Sequence, residues 1–432
     1  MLKIDIEKRG KHSMKEIKVS VVVPVYNVDE FLDDTLSYIT AQTLKDIEII
    51  CVDDGSTDNS CKIIQSWMEK DSRIQLVKQE NQYAGVARNN GLKKAHGKYV
   101  IFWDADDLFE ETALEVLYIQ AEKENSDICI CEARKYDNAK DKYIPSNAYL
   151  KEEFLPEEKE TFNKFDVPEH IFNLTNNVPW NKLYRREFIL KNKLEYQAIK
   201  QANDTYFTIM ALFLAQRITY VKDILIAYRV NNKESLSGKA SDTVFCAYDS
   251  WLYTKKHIEK YSDFELVRYS FLNRALSGFY YSLNIQSTFA SYEKLYRKLV
   301  EEGFHEFGLD ECGEDHIYVA WMYRDMQQMY VSEPGDFLVQ KSITRRVNNE
   351  NGNMRRNILK QKNKDLKEKN KELQADKKIL QSDKKALQSE NTKLQSENRK
   401  LHKEITDIKN TKAYKFGNKV MWLPRKIRGI FS

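Results

Sequence analysis

The chain has 432 residues, carries 69 Lys and Arg against 65 Asp and Glu, and is 42% hydrophobic. That size predicts two or three domains, the apolar content excludes wholesale disorder, and no apolar run approaches the roughly 20 residues of a membrane helix. The net charge of +4 conceals an asymmetry: residues 355–432 sum to +14 and the rest to −10, an acidic body with a basic tail rather than a uniformly basic nucleic-acid binder.

Residues 1–17 mix Lys, Asp and Glu without an apolar stretch and read as an N-terminal extension with no secretory signal. Residues 18–133 then alternate strands with amphipathic helices. Val19–Tyr26 is a β-branched strand; Phe31, Leu32, Leu36 and Ile39 recur at helical spacing; Ile47–Val52 is a buried strand. Ile63, Ile64, Trp67 and Met68 mark the next helix, followed by strand Ile74–Lys78 and helix Ala84–Ala95. Strand Tyr99–Trp103, helix Thr112–Lys123 and strand Ile128–Ala133 close the series. This rhythm predicts βαβ units and an α/β fold on a mostly parallel sheet, whose ligands sit at the carboxyl ends of the strands. Tyr26-Asn27, Asp53-Asp54-Gly55 and Asp104-Ala105-Asp106-Asp107 fall at those ends.

Residues 134–240 are less regular, and 241–352 read as an aromatic-rich helical subdomain whose Tyr, Phe and Trp are expected in its core. Within 353–408, Leu366, Leu373, Leu380, Leu387, Leu394, Leu401 and Ile408 are spaced by seven, a coiled-coil seam. Counted from those residues as position d, the a positions hold Asn363, Asn370, Lys377, Lys384, Asn391, Asn398 and Ile405. Buried Asn at a suits a parallel two-stranded homodimer. Residues 409–432 interleave seven Lys and Arg with aromatics such as Tyr414, Phe416, Trp422 and Phe431 and no acid, a pattern suited to an anionic membrane surface or to packing back on the acidic body. The six cysteines are scattered and read as reduced thiols of a cytoplasmic protein.

No glycine-rich phosphate loop follows the first strand, so a phosphate-bearing ligand would need a metal ion for neutralisation. Asp104 and Asp106 at alternate positions offer oxygen ligands to a hard divalent cation. Asp53 and Asp54 can accept hydrogen bonds from a nucleobase NH, with Gly55 turning the chain and Asp58 or Asn59 capping the next helix.

Together, Val-Ser-Val-Val-Val-Pro-Val-Tyr-Asn (19–27), Val-Asp-Asp-Gly-Ser-Thr-Asp (52–58), Ala-Arg-Asn-Asn-Gly (87–91), Gly-Lys-Tyr-Val (97–100) and Asp-Ala-Asp-Asp (104–107) resemble family 2 glycosyltransferases in order and spacing. The resemblance implies a GT-A catalytic domain over 18–240, with 18–133 as its nucleotide-sugar half and 134–240 as its acceptor half. It further implies a nucleoside-diphosphate sugar donor, usually a UDP-sugar, and Mn²⁺ or Mg²⁺. Pro24, Val25 and Tyr26 then look like the wall of the nucleoside pocket, Asp53 and Asp54 like the base-reading acids, and Arg88 like a donor contact. Asp106 looks like the metal ligand, with Asp104 beside the ribose or sugar and near the metal. Val178-Pro179-Trp180-Asn181-Lys182-Leu183-Tyr184 resembles the family's Trp-Asn-Lys-Leu-Tyr segment, which either places Lys182 near the donor or forms a structural turn. Asn203-Asp204 resembles the segment that supplies the catalytic base, with Asn203 where the family has Glu and Asp204 as the base; the other reading of Asp204 is the N-cap of a helix over Thr205–Leu214. Tyr228-Arg229 with Ser235-Leu236-Ser237 resembles a later segment, and Asn231 and Asn232 stand where some relatives carry a metal-binding His.

The expected activity is an inverting, metal-dependent glycosyl transfer from a nucleotide sugar to a glycan or lipid-linked acceptor hydroxyl, at the inner face of the plasma membrane and without nucleic acid. The rivals are a sugar nucleotidyltransferase, which would want a basic glycine-rich loop after the first strand, and a non-catalytic sugar-nucleotide-binding scaffold that presents the coiled coil.

Overall fold

The computed structural model describes residues 16–146, 149–157, 159–230, 243–412 and 415. The basic tail from residue 416, the extension 1–15, Asn231, Asn232 and Ser235-Leu236-Ser237 lie outside the described residues. The chain divides into two units, one up to Val339 and one from Gln340.

The first part follows the predicted alternation: β1 (Val19–Val25), α1 (Asp29–Ala41), β2 (Ile47–Asp53), α2 (Ser60–Lys70), β3 (Ile74–Lys78), α3 (Tyr83–Lys94) and β4 (Tyr99–Phe102). Short β5 (Leu108–Phe109), α4 (Ala113–Lys123), β6 (Ile128–Asp137) and β7 (Lys142–Ile144) come next. β8 (Lys182–Arg185), α5 (Arg186–Lys191), α6 (Asp204–Leu214) and β9 (Ile218–Val230) complete the sheet region. One sheet results, ordered β3-β2-β1-β4-β8-β6-β9-β5 with β7 also on β6. β3, β2, β1 and β4 pair in parallel, as do β6 and β9, while β5, β7 and β8 run antiparallel to their neighbours. The mostly parallel α/β sheet is therefore present, and it contains three antiparallel strands too short to reveal a period.

Period-two alternation explains why both faces are covered. Val19, Val21, Val23, Ile49, Cys51 and Ile101 pack with Leu32, Leu36 and Leu117 of α1 and α4. Val22, Ile50, Val52, Val100 and Phe102 pack on the other side with Ala87, Leu92 and Phe207 of α3 and α6. Helix α3 lies so close to β1 that a Cβ on Gly91 would come within 2.3 Å of Val22 Cγ1. The chain moves outward from β1 to β3, then returns to place β4 on the other side of β1. That reversal is the topological switch point at which the carboxyl ends splay apart.

Beyond residue 242, α7 (Cys246–Ile258), α8 (Phe264–Asn284), α9 (Phe289–Lys298), α10 (Phe304–Phe307) and α11 (Ala320–Val331) follow. Their Tyr248, Trp251, Phe271, Phe279, Phe304 and Phe307 are buried in the same core as the α3–α6 face of the sheet. Aromatic content there supplies packing, as its helical spacing leads one to expect. The last helix, α12 (Pro334–Asn410), runs 77 residues and leaves every heptad residue from Leu366 to Ile408 between 53% and 68% exposed. Among the described residues no helix is long and apolar enough to cross a membrane.

Candidate active site

The loops after β1 and β2 are laced together at the carboxyl edge. Asn27, at φ +47°, accepts from the Thr57 amide through Oδ1 (2.8 Å) and donates its own amide to Ser56 Oγ (3.1 Å). Asp58 accepts the amides of Asp29 (3.0 Å) and Ser60 (2.9 Å); burial opposes its ionisation, but these bonds prevail and its pKa is lowered. Asn59 occupies the cap position of α2 without a side-chain cap bond. Asp53 Oδ1 accepts from the Ser56 amide (3.1 Å), and Asp54 Oδ1 accepts from Gln79 Nε2 (2.7 Å) and the Gln82 amide (2.8 Å). Both acids are buried, and Asp54 also ties down the approach to α3. Tyr26 is 51% exposed and Pro24 partly so, whereas the Val25 side chain is 1% exposed and points into the α1-side core. Of the three expected pocket-wall residues, Val25 offers a ligand only its backbone.

Helix α3 shows what Ala-Arg-Asn-Asn-Gly does. Arg88 is buried and donates Nη2 to Asp104 Oδ1 (2.6 Å) and Nη1 to Asn203 Oδ1 (2.9 Å), joining the end of β4 to the start of α6. Asn89 clamps the Tyr196 backbone, donating to its carbonyl and accepting from its amide, each at 2.8 Å. Asn90 donates to Gln79 Oε1 (2.7 Å). A Cβ on Gly85 would lie 2.3 Å from the Gln197 carbonyl oxygen, so this helix and the 197–203 loop meet at backbone distance. Of this motif only Arg88 was expected to have a role at the site; Asn89 holds the loop that leads to Asp204, while Asn90 and Gly91 fix α3 to the β3 end and to β1.

The turn after β4 concentrates negative charge. Asp104 and Asp106 are partly exposed and Asp107 is fully buried. Asp107 Oδ1 accepts from the Arg229 amide (2.9 Å), while its Oδ2 is buried without a hydrogen-bond partner. Burial first, then Asp106 and Asp104, push the Asp107 carboxyl well up, against the pull of Arg229. Arg229 also donates Nε to the Asp106 carbonyl (2.6 Å) and Nη1 to Asn138 Oδ1 (2.6 Å), so β9 fixes the turn. That role was missed, although Tyr228-Arg229 stands out in the sequence. Two accessible carboxylates beside an orphaned buried carboxylate oxygen fit a hard divalent cation whose remaining ligands come from phosphate and water. Among the described residues no group of three or more His, Cys, Asp or Glu forms a complete cage, so such an ion would depend on its ligand.

Asp204 is the first residue of α6, and Asn203, not Asp204, occupies the cap position. It is half-buried, and burial raises its carboxyl pKa against the opposing charges of Arg88 and Lys182. Lys182, expected at the donor, is fully buried in this structure, and its ammonium donates to the Asn176 carbonyl (2.8 Å), the Val178 carbonyl (2.8 Å) and Asn181 Oδ1 (2.7 Å). Burial and neighbouring Arg274 bring it down to about 7, but three acceptors around one nitrogen are the surroundings of a charged ammonium. With all three protons engaged, Lys182 locks the 176–181 turn instead of reaching a ligand. Trp180 is likewise structural here, stacked on Tyr228 at 5.7 Å and accepting Trp103 Nε1 at its carbonyl (3.2 Å). The site thus gathers Tyr26, Asp53, Asp54, Arg88, Asp104, Asp106 and Asp204 at one edge of the sheet, supported by Asn89, Lys182 and Arg229.

A sequence profile described as Glycosyl transferase family 2 matches residues 20–191. The chain is 37% identical over 216 residues to a cholesterol galactosyltransferase of Borreliella burgdorferi, covering 48% of this chain and 58% of that protein. It is 33% identical over 216 residues to the glycosyltransferase GlyG of Streptococcus pneumoniae, covering 49% of this chain and 70% of that protein. Across such curated relatives it spans between 31% and 70% of their own length. Among solved structures, Staphylococcus aureus TarS 1–349 in complex with UDP-GlcNAc shares the fold, with a TM-score of 0.54 at 20% identity over 72% of this chain and 91% of that one.

Proposed function

The chain belongs to glycosyl transferase family 2, and from that membership we propose that it moves a sugar from a nucleoside-diphosphate donor, a UDP-sugar, to an acceptor hydroxyl with inversion at the anomeric carbon. The observation that carries this reading is Arg88, which joins Asp104 of the acidic turn to the Asn203-Asp204 start of α6. A donor-side carboxylate and a candidate base are thereby held in one rigid frame. Asp53 and Asp54 accept from the nucleobase, and Pro24 and Tyr26 border it. Asp106, with Asp104, would hold Mn²⁺ or Mg²⁺, which when bound neutralises the diphosphate leaving group. Asp204 takes the acceptor proton, and its raised pKa makes it a stronger base than a free carboxylate. The UDP-GlcNAc in the TarS complex supports the nucleotide-sugar class. A donor-hydrolysis screen over UDP- and GDP-sugars with Mn²⁺ tests the reading; turnover of none of them, with or without acceptor, overturns it.

The same reading makes the protein a parallel homodimer through residues 363–408, because the exposed heptad residues of α12 find burial only against a second helix. Light scattering should give twice the chain mass, falling to one chain after truncation at Asn353; an unchanged mass refutes the coil. A glycan or lipid-linked acceptor at the inner membrane face, approached by the basic tail, completes the proposal.

A further inference from the structure

Two guanidinium groups lie within electrostatic reach of Asp204, Arg88 of α3 and Arg274 of α8. Arg88 is engaged by Asp104 and Asn203. Arg274 is differently placed. It donates Nε to Asn177 Oδ1 (2.9 Å) and forms no ion pair with a carboxylate among the described residues. Asn177 is itself fixed to the helix that begins with Asp204, since Thr208 Oγ1 donates to its carbonyl (2.7 Å). The rest of the 174–178 turn is equally well held. Lys182 supports it from beneath, Thr175 Oγ1 donates to the Tyr149 carbonyl (2.7 Å), and the Lys151 amide donates to the Leu174 carbonyl (2.8 Å).

Three cations therefore surround one pinned turn: Lys151, Lys182 and Arg274. Lys182 has spent its protons, but Lys151 also forms no ion pair among the described residues; its ammonium lies 5.3 Å from the Phe154 ring centroid. Burial, together with Arg274, lowers both lysines, and Arg274 itself is lowered to about 10. The carboxylates within reach, Asp204 for Arg274 and Lys182 and Glu153 for Lys151, form no ion pair with these cations among the described residues, and partly desolvated cations held together in this way favour the arrival of a further anion. Tyr281, two helical turns along α8 from Arg274 and so on the same face, is 61% exposed and also senses Asp204. It adds a hydroxyl donor on the helix face that carries the guanidinium.

We propose that the acceptor side of this site binds a phosphoryl group carried close to the accepting hydroxyl, read by Arg274 with Lys151 and Tyr281. The proposal rests on the transferase reading above. Arginine is the side chain suited to this task, because its planar fork matches two phosphate oxygens at once. The fixed turn holds Arg274 relative to Asp204, so that binding the phosphoryl group would also position the hydroxyl for proton removal.

The test uses the full chain saturated with UDP, so that the donor side is filled. Glycerol phosphate is titrated, with glycerol as the neutral control, and phosphatidylglycerol vesicles present the same headgroup on a membrane. Saturable binding of glycerol phosphate or of vesicles, weakened tenfold or more by Arg274→Gln and partly restored by Arg274→Lys, is the expected result. The arm that Arg274→Gln weakens identifies whether the phosphate comes free or on a lipid, because the basic tail alone would hold vesicles in parent and variant alike. If Arg274→Gln unfolds early in a melting curve, Lys151→Gln carries the same comparison with a loss of threefold or more. Binding within twofold of the parent in the folded variants, or none in either arm while UDP is bound, overturns the proposal. Failure of UDP itself to bind overturns the transferase reading instead.

Discussion

The two ends of the sheet treat their carboxylates in opposite ways. Near the amino end of β2, Glu48 is 3% exposed and its oxygens meet Ser20 Oγ (2.6 Å), the amides of His96 (2.6 Å) and Gly97 (3.2 Å), and Gln75 Nε2 (3.2 Å). At the carboxyl end of β4, three aspartates crowd into four residues, one retains a buried oxygen without a partner, and another is half-open beside an arginine. A buried carboxylate supplied with donors by the protein is complete and serves the fold. Carboxylates packed together against their mutual repulsion store an electrostatic cost that a cation or ligand relieves, and such places are where function concentrates.

The largest effect that could break this comparison comes from Asp106→Ala. If the acidic turn exists for a divalent cation, donor turnover should fall by about 10³-fold and lose its response to added Mn²⁺. Circular dichroism should remain that of the parent, because Asp106 is partly exposed and Arg229 bonds its backbone, not its side chain. Near-normal donor hydrolysis, or equal activity under excess chelator, ends the metal assignment.

Asp204→Asn comes next. Nucleotide affinity should stay within a few-fold of the parent while transfer slows by ~10² or more. The raised pKa sharpens the test. A base works only when ionised, so kcat/KM should fall as pH drops through a value above the ordinary carboxylate range of about 4, and the Asn variant should lack that acid limb. A profile flat down to pH 4, or a small loss in the variant, reduces Asp204 to a helix-terminal residue placed for the helix dipole.

How far the sequence revealed this contrast depends on what each residue needs from its neighbours. Strands β1 to β4 and their helices were legible because buried parallel strands are continuous apolar runs between amphipathic helices. Strand β8 was not, since four residues of mixed character carry no period. The acids at the strand ends were legible as anomalies in apolar surroundings. Lys182 stayed open between donor and turn because a Lys in a family-like motif reads the same whether its ammonium faces a ligand or three carbonyl-type acceptors. Arg229 and Asn89 act through backbone atoms more than a hundred residues away, and Arg274 comes within electrostatic reach of Asp204 only after two subdomains pack. No local pattern encodes such meetings.

The smallest effect on chemistry, and the sharpest control, is Glu48→Gln. Glu48 receives hydrogen-bond donors on both oxygens, three of them on Oε1, so an amide must turn its NH₂ toward at least one existing donor whichever way it is placed. Gln75 can reorient its own amide to accept, and the His96 ring nitrogen at 3.4 Å from Oε2 can change tautomer, so the loss is partial. A mismatched buried bond of this kind costs about 1–3 kcal/mol. The 95–97 loop and the start of β1, which Glu48 joins through Ser20, lie at the sheet end away from the acidic turn, so turnover per folded molecule should match the parent while the melting temperature falls by several degrees. Equal melting temperatures would mean that the donors around Glu48 are satisfied as well by an amide. Slower turnover at an unchanged melting temperature would mean that the two ends are coupled through β1 and β2, and the division of labour between structural and functional carboxylates would have to be abandoned.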